Sequence, residues 1–310
     1  MRIGICIILT LSLLLSALAQ QDDKPIKLQT DLVAIDVTIT DKDGNFLRNL
    51  KREDFVIYED NEPQKVEFFE ANEKAAFTRP LAVVFAFDIS GSITPEEIDR
   101  QRQATEKFMS LVQRESVYSV VAFNNEIRVL QDFSNDANKI SQAFRKIKDT
   151  SGSTRIFATI GRAVEMLKKV PRYRGARRLR RVVVIVTDGY DNVDPTEQTE
   201  LIQSANDAEV TVYSITLPSY PAGGNQPRIM TLLDVSRVVP STGGADFSAD
   251  VSDFTPVFKA IAEEIQSGYT VAYYPSEKSR NDGRAHQLRV EVKKTGAIVR
   301  ASRSSFQSAK

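Results

Sequence analysis

The stretch that decides the fold runs from residue 81 to residue 92 and reads Leu-Ala-Val-Val-Phe-Ala-Phe-Asp-Ile-Ser-Gly-Ser. Its opening apolar run is typical of a strand that is buried on both faces of a parallel sheet. The run ends at Asp88, and the hydroxyls of Ser90 and Ser92 follow at alternate positions. Ligands of open α/β sheets bind at the carboxyl ends of strands, and carboxylate and hydroxyl oxygens suit hard cations. The stretch therefore predicts a divalent-cation site at the edge of a parallel sheet.

These three polar residues also have a plainer explanation, because Asp and Ser are common in turns and at helix N-termini. Two further segments favour the metal interpretation. Residues 181–189 repeat the pattern of a buried, β-branched strand that ends at an acid, Asp188. Residues 150–160 form a polar, glycine-containing loop that runs into a predicted helix, with Thr154 near the helix start. Taken alone, Thr154 is better explained as the N-cap of that helix.

Together these segments resemble the von Willebrand factor type A (VWA) domain and its metal-ion-dependent adhesion site (MIDAS). The family motif consists of Asp-x-Ser-x-Ser, a Thr before a helix and an Asp after a central strand. The matching residues are Asp88, Ser90, Ser92, Thr154 and Asp188, and none of them is substituted. The resemblance covers roughly residues 80–267. It implies a Rossmann-like, doubly wound α/β domain with a mainly parallel central sheet.

The resemblance also implies what the site binds. Mg²⁺ is the expected ion, with Ca²⁺ or Mn²⁺ as alternatives, and the protein oxygens leave room for water or a ligand in its coordination shell. In the family, some of the site residues act through water, and a carboxylate of the partner can complete the shell. We therefore expect a protein partner that supplies an Asp or Glu side chain and binds around the metal site, and we expect no catalytic residues.

Composition excludes several other classes of function. The chain has 310 residues, and 41 Lys and Arg are balanced by 41 Asp and Glu. Without a basic excess, nucleic acid is not an expected partner. Cys6 is the only cysteine and His286 the only histidine, so a histidine-centred triad or a His-rich zinc site is not expected either. The composition does not predict the oligomeric state.

The N-terminus has the pattern of a targeting segment. Arg2 precedes a largely apolar stretch from Ile3 to Leu15, and residues 17–19 read Ala-Leu-Ala, a typical cleavage pattern. We predict a signal peptide over residues 1–19 and an exported protein that is periplasmic, attached to the cell envelope or secreted. An uncleaved anchor is the alternative, although the apolar run is shorter than the ~20 residues of a membrane span. No later segment has a transmembrane pattern.

Three segments follow the predicted signal peptide. Residues 20–77 and 268–310 show the alternation of β-strands, whereas residues 78–267 alternate strands with helices, as parallel α/β sheets do. Because residues 20–77 are few for an independent sandwich, we predict that they pack with residues 268–310. The predicted fold is thus a VWA domain inserted between N- and C-terminal β segments that form one small β-sandwich-like domain.

This layout resembles a secreted bacterial family described as VWFA-related (acidobacterial type). In that family a short β segment precedes the VWA domain and a β tail follows it. The matching stretches are residues 37–44, 53–60, 80–92 and 273–275. This resemblance concerns the architecture and implies no defined biochemical role.

Two alternatives to a non-enzymatic binding module stay open. A Mg²⁺-dependent hydrolase or phosphotransferase would use the same site, but no Asp-x-Asp pair follows the first buried strand and the sequence contains no phosphate-binding glycine loop. A structural scaffold with a vestigial site is the other, and the intact motif argues against it. The basic run at residues 172–181 is interpreted as an exposed helix-to-strand connection, with polyanion binding as its alternative.

Overall fold

The computed structural model describes residues 32–71, 79–112, 115–147, 150–175, 177–188, 195–217, 237–249 and 252–308. The predicted signal peptide lies outside these residues. Within them, every helix is too short or too polar to cross a membrane.

The strands and helices alternate in the middle of the chain, and strands predominate at both ends. The strands are β1 (Val33–Thr40), β2 (Phe55–Glu59), β3 (Glu62–Gln64), β4 (Phe68–Ala71), β5 (Leu81–Asp88), β6 (Val117–Phe123), β7 (Ile127–Ser134), β8 (Tyr173–Arg174), β9 (Arg177–Arg178), β10 (Arg180–Thr187), β11 (Val210–Thr216), β12 (Asp246–Ser248), β13 (Tyr269–Tyr273), β14 (Ala285–Val292), β15 (Ile298–Ala301) and β16 (Ser305–Gln307). The helices are α1 (Pro95–Leu111), α2 (Ala137–Phe144), α3 (Ile156–Lys168), α4 (Pro195–Asp207), α5 (Val238–Ser241), α6 (Thr255–Gln266) and α7 (Glu277–Arg280), and a 3₁₀ turn spans Arg52–Asp54.

The central sheet has six strands in the order β12-β11-β10-β5-β6-β7. All neighbouring pairs are parallel except β6 and the edge strand β7. The two middle strands, β5 and β10, are buried along their whole length, as their continuous apolar sequences predict. The predicted mainly parallel sheet is confirmed.

Helices cover both faces of this sheet. On one face, Phe85 of β5 contacts Phe108 of α1 and Phe258 of α6, with ring centroids 5.3 and 5.9 Å apart. Each buried ring of this kind stabilises the fold by about 2–3 kcal/mol. On the other face, the small residues Ala82 and Ala86 pack in the cluster that contains α3, α4 and α5. The doubly wound arrangement is therefore confirmed.

Strands from the two ends of the chain pair with each other. Strand β1 lies antiparallel between β13 and β15, and β2 pairs antiparallel with β14. The resulting sheets, β15-β1-β13-β4 and β16-β14-β2-β3, share a hydrophobic cluster that includes Ile35, Ile57, Val271 and Val290. This matches the predicted fold class, in which an α/β domain is inserted between two β segments. The division of the chain at residues 77/78 and 267/268 stays a prediction.

A buried ionic network joins β1 to the central sheet. The carboxylate of Asp36 accepts hydrogen bonds from Arg79 Nη1 at 2.5 Å and from Thr270 Oγ1 at 2.8 Å. Arg178 and Arg180 lie 4.0 and 3.9 Å from the same carboxylate. Burial alone would raise the pKa of Asp36, but the three guanidinium groups and the Thr270 hydrogen bond hold it well below its usual range.

The interpretation of residues 172–181 as an exposed connection is wrong only for their last part, because residues 172–175 and Arg177 are exposed. Arg178 forms an ion pair with Glu209. Arg180 and Arg181 are both buried, and each donates hydrogen bonds to backbone carbonyl groups. Arg178, Arg180 and Arg181 therefore serve internal contacts, which argues against their use in a polyanion site.

Candidate metal centre

The two predicted carboxylate ligands lie at one edge of the central sheet. Asp88 is the last residue of β5, and Asp188 directly follows β10. Strands β5 and β10 are parallel neighbours, with Phe87 opposite Val186. Both acids consequently emerge at the carboxyl ends of adjacent strands, which is where open α/β sheets bind their ligands.

Asp88 is a buried carboxylate whose hydrogen bonds come from uncharged groups. It is 1% exposed. Its Oδ1 accepts from the backbone N–H of Ser90 at 2.8 Å, and its Oδ2 accepts from the hydroxyl of Thr187 at 2.6 Å. Burial raises the pKa of Asp88 above its usual value, and the charge of Asp188 acts in the same direction. The groups that shift the pKa of Asp88 include no Lys or Arg, so a cation would stabilise these two carboxylates.

Ser90 and Ser92 lie in the turn that follows β5. Ser90 is buried and Ser92 is exposed, and their hydroxyl oxygens are 3.3 Å apart. Helix α1 begins at Pro95, and its N-cap is Thr94, which forms a capping box with Glu97. Neither serine is therefore the cap of α1, although both lie in a turn, as the plainer explanation also allows.

Thr154 lies in the loop before α3. The N-cap position of α3 is occupied by Arg155, and no side chain caps this helix. Thr154 is thus not the N-cap that its sequence position suggests. The backbone N–H of Ser151 donates to the carbonyl of Ile89 at 2.9 Å, so the loop that carries Thr154 is anchored beside the Asp88 turn.

Two asparagines that the sequence analysis missed hold this loop. The side-chain amide of Asn124 donates to the carbonyl of Ser151 at 2.7 Å, and Asn125 Oδ1 accepts from the backbone N–H of Ser153 at 2.5 Å. Gly152, which lies between Ser151 and Ser153, has φ = 86°, and a Cβ at this position would lie 2.4 Å from Asn125 Oδ1. Their position in the sequence could have indicated this role, because Asn124 and Asn125 directly follow the buried strand β6, and polar residues at that place often face the ligand-binding edge. Thr187, which precedes Asp188, was missed in the same way.

The remaining acids near the motif lie outside the described residues. Asp188 itself is half-buried. Asp191 and Asp194, which the sequence suggests as a source of added charge and as a helix cap, belong to residues 189–194, which the structure does not describe.

The residues present fit a hard cation. Their donors are all oxygens, namely two carboxylates and three hydroxyls, which suit Mg²⁺, Ca²⁺ or Mn²⁺ better than Zn²⁺. In the part of the chain that the structure describes, no group of three or more His, Cys, Asp or Glu residues is placed to hold a metal ion. A cation at this edge would therefore depend on the hydroxyls as well as on Asp88 and Asp188.

The von Willebrand factor type A domain model matches residues 82–257, more than half of the chain. The chain belongs to the VWA domain family. The matched region contains the five residues whose types and order match the MIDAS motif. VWA domains commonly mediate protein–protein interactions and often bind a divalent metal at the MIDAS.

Solved structures with the VWA fold are similar to this chain. A von Willebrand factor type A protein from Catenulispora acidiphila is 13% identical, with a TM-score of 0.50 over 86% of this chain and 76% of that chain. An aerotolerance-related membrane protein from Bacteroides fragilis, carrying multiple mutations to serines, is 16% identical over 60% of this chain and 98% of that chain, with a TM-score of 0.46. The vWF domain of the type V pili tip protein Mfa5 from Porphyromonas gingivalis is 12% identical over 61% of this chain and 96% of that chain, also with a TM-score of 0.46. A comparison with curated proteins found no match.

Proposed function

We propose that this protein is exported and that its VWA domain is a metal-dependent, non-enzymatic module for adhesion or assembly. Asp88, Ser90, Ser92, Thr154 and Asp188 would hold Mg²⁺, or else Ca²⁺ or Mn²⁺. The partner would supply an Asp or Glu carboxylate. The observation that carries the proposal is the buried carboxylate of Asp88, which is surrounded by uncharged donors and accompanied by the carboxylate of Asp188.

The protein groups have distinct roles in this proposal. Thr187 and the backbone of Ser90 orient the Asp88 carboxylate through the two hydrogen bonds described above. Hydroxyl ligands add no formal charge, so a bound ion keeps much of its positive charge and attracts an acidic side chain. Ser92 is the exposed member of the serine pair, so we place the approach of such a side chain there.

The partner surface would extend beyond the metal. A polar depression of about 330 Å³ adjoins the Thr154 loop and is lined in part by Asn125, Glu126, Arg128 and Gly152. Its charged rim offers contacts for residues that flank the partner's acidic side chain. Export rests on the pattern of residues 2–19 alone.

Calorimetric titration of Mg²⁺, Ca²⁺ and Mn²⁺ into the EDTA-treated protein tests the metal site. We expect saturable one-site binding that is lost in Asp88→Ala. Asp99→Ala is the matched control, because Asp99 is an exposed carboxylate that forms an ion pair with Arg102. Equal binding by the Asp88→Ala protein, or no binding by the unmodified protein, would contradict the proposal.

Acetate tests the acidic-ligand part of the proposal, since it is a minimal carboxylate. If a carboxylate completes the shell, replacing chloride by acetate at equal ionic strength should strengthen Mg²⁺ binding, because the coupling of two ligands is reciprocal. An unchanged affinity would contradict this step. Metal-dependent turnover of a phosphate ester would instead favour the hydrolase alternative, and the scaffold alternative requires that neither metal nor carboxylate binds.

A further inference from the structure

We propose that this protein has a second binding site, which takes an organic carboxylate with an aromatic or medium-length aliphatic body. The site is a cavity of about 650 Å³ between the edge strand β7, helix α3 and the β8–β9 hairpin. We call it the edge cavity. Its volume is within the range of about 300–1,000 Å³ that is typical of small-molecule sites.

The edge cavity is separate from the candidate metal centre. Val117, at the first position of β6, and Leu179, just before β10, both line it. Both residues are at the amino ends of parallel strands, whereas Asp88 and Asp188 are at the carboxyl ends. The two sites therefore lie at opposite ends of the parallel strands. The inference of a second site does not depend on the proposed function.

The floor of the edge cavity is apolar. Met166 and Leu179 are each 6% exposed, and the half-buried Phe133 contributes from β7. The pairing of β7 with β6 shifts register on both sides of Val120, so strict side-chain alternation is lost. As a result, the adjacent residues Asp132 and Phe133 both line the cavity.

The rim of the edge cavity is basic. One face of α3 carries Arg162 and Met166 at i and i+4, and the C-cap residue Lys169 follows at i+7, so a cation lies on each side of an apolar residue. Arg174 contributes a third cation from the hairpin. The lining contains a single carboxylate, Asp132.

These three cations differ from the neighbouring arginines. Arg172 and Arg178 pair with Glu209, and Arg177 lies 3.8 Å from a carboxylate oxygen of Glu115. Arg162, Lys169 and Arg174 form no ion pair with any residue that the structure describes. An apolar cavity whose lining carries three cations and one carboxylate is complementary to a molecule that has one anionic group and one apolar body.

Decanoate is the probe for this site, with decanol as its uncharged counterpart. Both are titrated in EDTA into protein labelled with ¹³C at the methionine methyl groups, with decanoate kept below its micelle concentration and decanol below its solubility limit. Met166 lies in the edge cavity, whereas Met109 packs against the opposite face of the sheet. We expect decanoate to shift the Met166 methyl signal saturably, to leave Met109 unchanged and to bind more tightly than decanol.

Charge reversal at the rim provides the matched comparison. Arg162 is exposed, so Arg162→Glu should fold normally, and we expect it to weaken decanoate binding by about fivefold, since an exposed charge pair contributes up to ~1 kcal/mol. Lys139→Glu is the control, because Lys139 is an exposed cation on α2, away from the cavity. The proposal is overturned if decanoate gives no saturable shift of Met166, if decanol binds equally well, or if the two variants behave alike.

Discussion

At the scale of single residues, the candidate metal centre depends on the electrostatics of Asp88. An ionised carboxylate that is removed from water needs compensation from a cation or from several hydrogen bonds. Asp88 has hydrogen bonds from Ser90 and Thr187, yet its pKa is raised, and the nearby Asp188 adds repulsion. The site therefore holds unfavourable charge that a divalent cation would relieve.

This imbalance predicts opposite effects of Asp88→Asn with and without metal. In EDTA the variant should be as stable as the unmodified protein or more stable, because a neutral amide removes the buried charge. In Mg²⁺ the unmodified protein should gain stability, by about 2.7 kcal/mol when the ion is at 100 times its Kd, and the variant should gain none. Thermal unfolding with and without Mg²⁺ measures both effects, and Asp99→Asn serves as the control. A variant that is still stabilised by Mg²⁺ would show that Asp88 is not part of the site.

At the scale of elements, the sequence predicts helices and strands well where the pattern is long and periodic. Thr94 and Pro95 are residue types that favour the N-cap and N1 positions of a helix, and they occupy those positions in α1. The sequence favours a helix over residues 137–148, but α2 ends at Phe144, because the amides of Arg145, Lys146 and Ile147 bond to carbonyls only three residues back. Helix ends of this kind depend on local hydrogen-bond competition that apolar periodicity does not report.

The loop before α3 allows a direct test of whether a single contact, between Gly152 and Asn125, organises the loop. Gly152 and Gly44 both have positive φ, at 86° and 84°, but a Cβ at position 152 would meet Asn125 whereas position 44 is open. Gly152→Ala should therefore weaken Mg²⁺ binding and lower stability by more than Gly44→Ala, whose cost is the backbone strain of about 1–2 kcal/mol. Chemical denaturation and the Mg²⁺ titration of both variants measure the difference. Equal stability losses and unchanged Mg²⁺ affinities would indicate that the Asn125 contact does not organise the loop.

At the scale of the whole molecule, residues distant in sequence are joined by charges as well as by strand pairing. Asp36 of β1 meets Arg79, Arg178 and Arg180 in a buried network. His286 of β14 bridges Asp60 at 2.8 Å and Asp282 at 3.1 Å, with Glu59 at 3.7 Å. Both clusters connect the N-terminal strands to later parts of the chain.

Asp36→Asn should destabilise the protein by about 3 kcal/mol at neutral pH, because it leaves buried guanidinium groups without their counter-charge. The pKa of Asp36 is lowered on folding, so its stabilising contribution is complete above the ordinary Asp value of about 3.9 and is lost as the pH falls below it. Urea unfolding at several pH values should show the deficit of the variant shrinking in acid. A deficit that does not change with pH would contradict an ionic role for Asp36.

The His286 cluster should give the opposite pH dependence. Burial alone would lower the pKa of His286, but its hydrogen bonds to Asp60 and Asp282 outweigh that effect and raise the pKa. The stabilisation is therefore complete below the ordinary histidine value of about 6.5 and is lost as the pH rises through the higher folded value. The unmodified protein should exceed His286→Gln in stability by more at about pH 5.5 than at about pH 8.5. Free energies of unfolding measured for both proteins at the two pH values test this prediction. A stability difference that is the same at both pH values would exclude a charged His286.

The sequence by itself determined the class of the fold and the composition of the candidate site. Continuous apolar strands such as β5 and β10 must be buried on both faces, and an acid at the end of such a strand can only emerge at the sheet edge. Tertiary structure alone decided the surroundings of those residues. The Thr187 hydrogen bond, the Asn125 support of the Thr154 loop and the burial of Arg180 and Arg181 arise between segments far apart in sequence. A local sequence pattern does not predict such contacts. Their energies depend on the distance between the groups and on the exclusion of water, and both are set only when the strands have assembled.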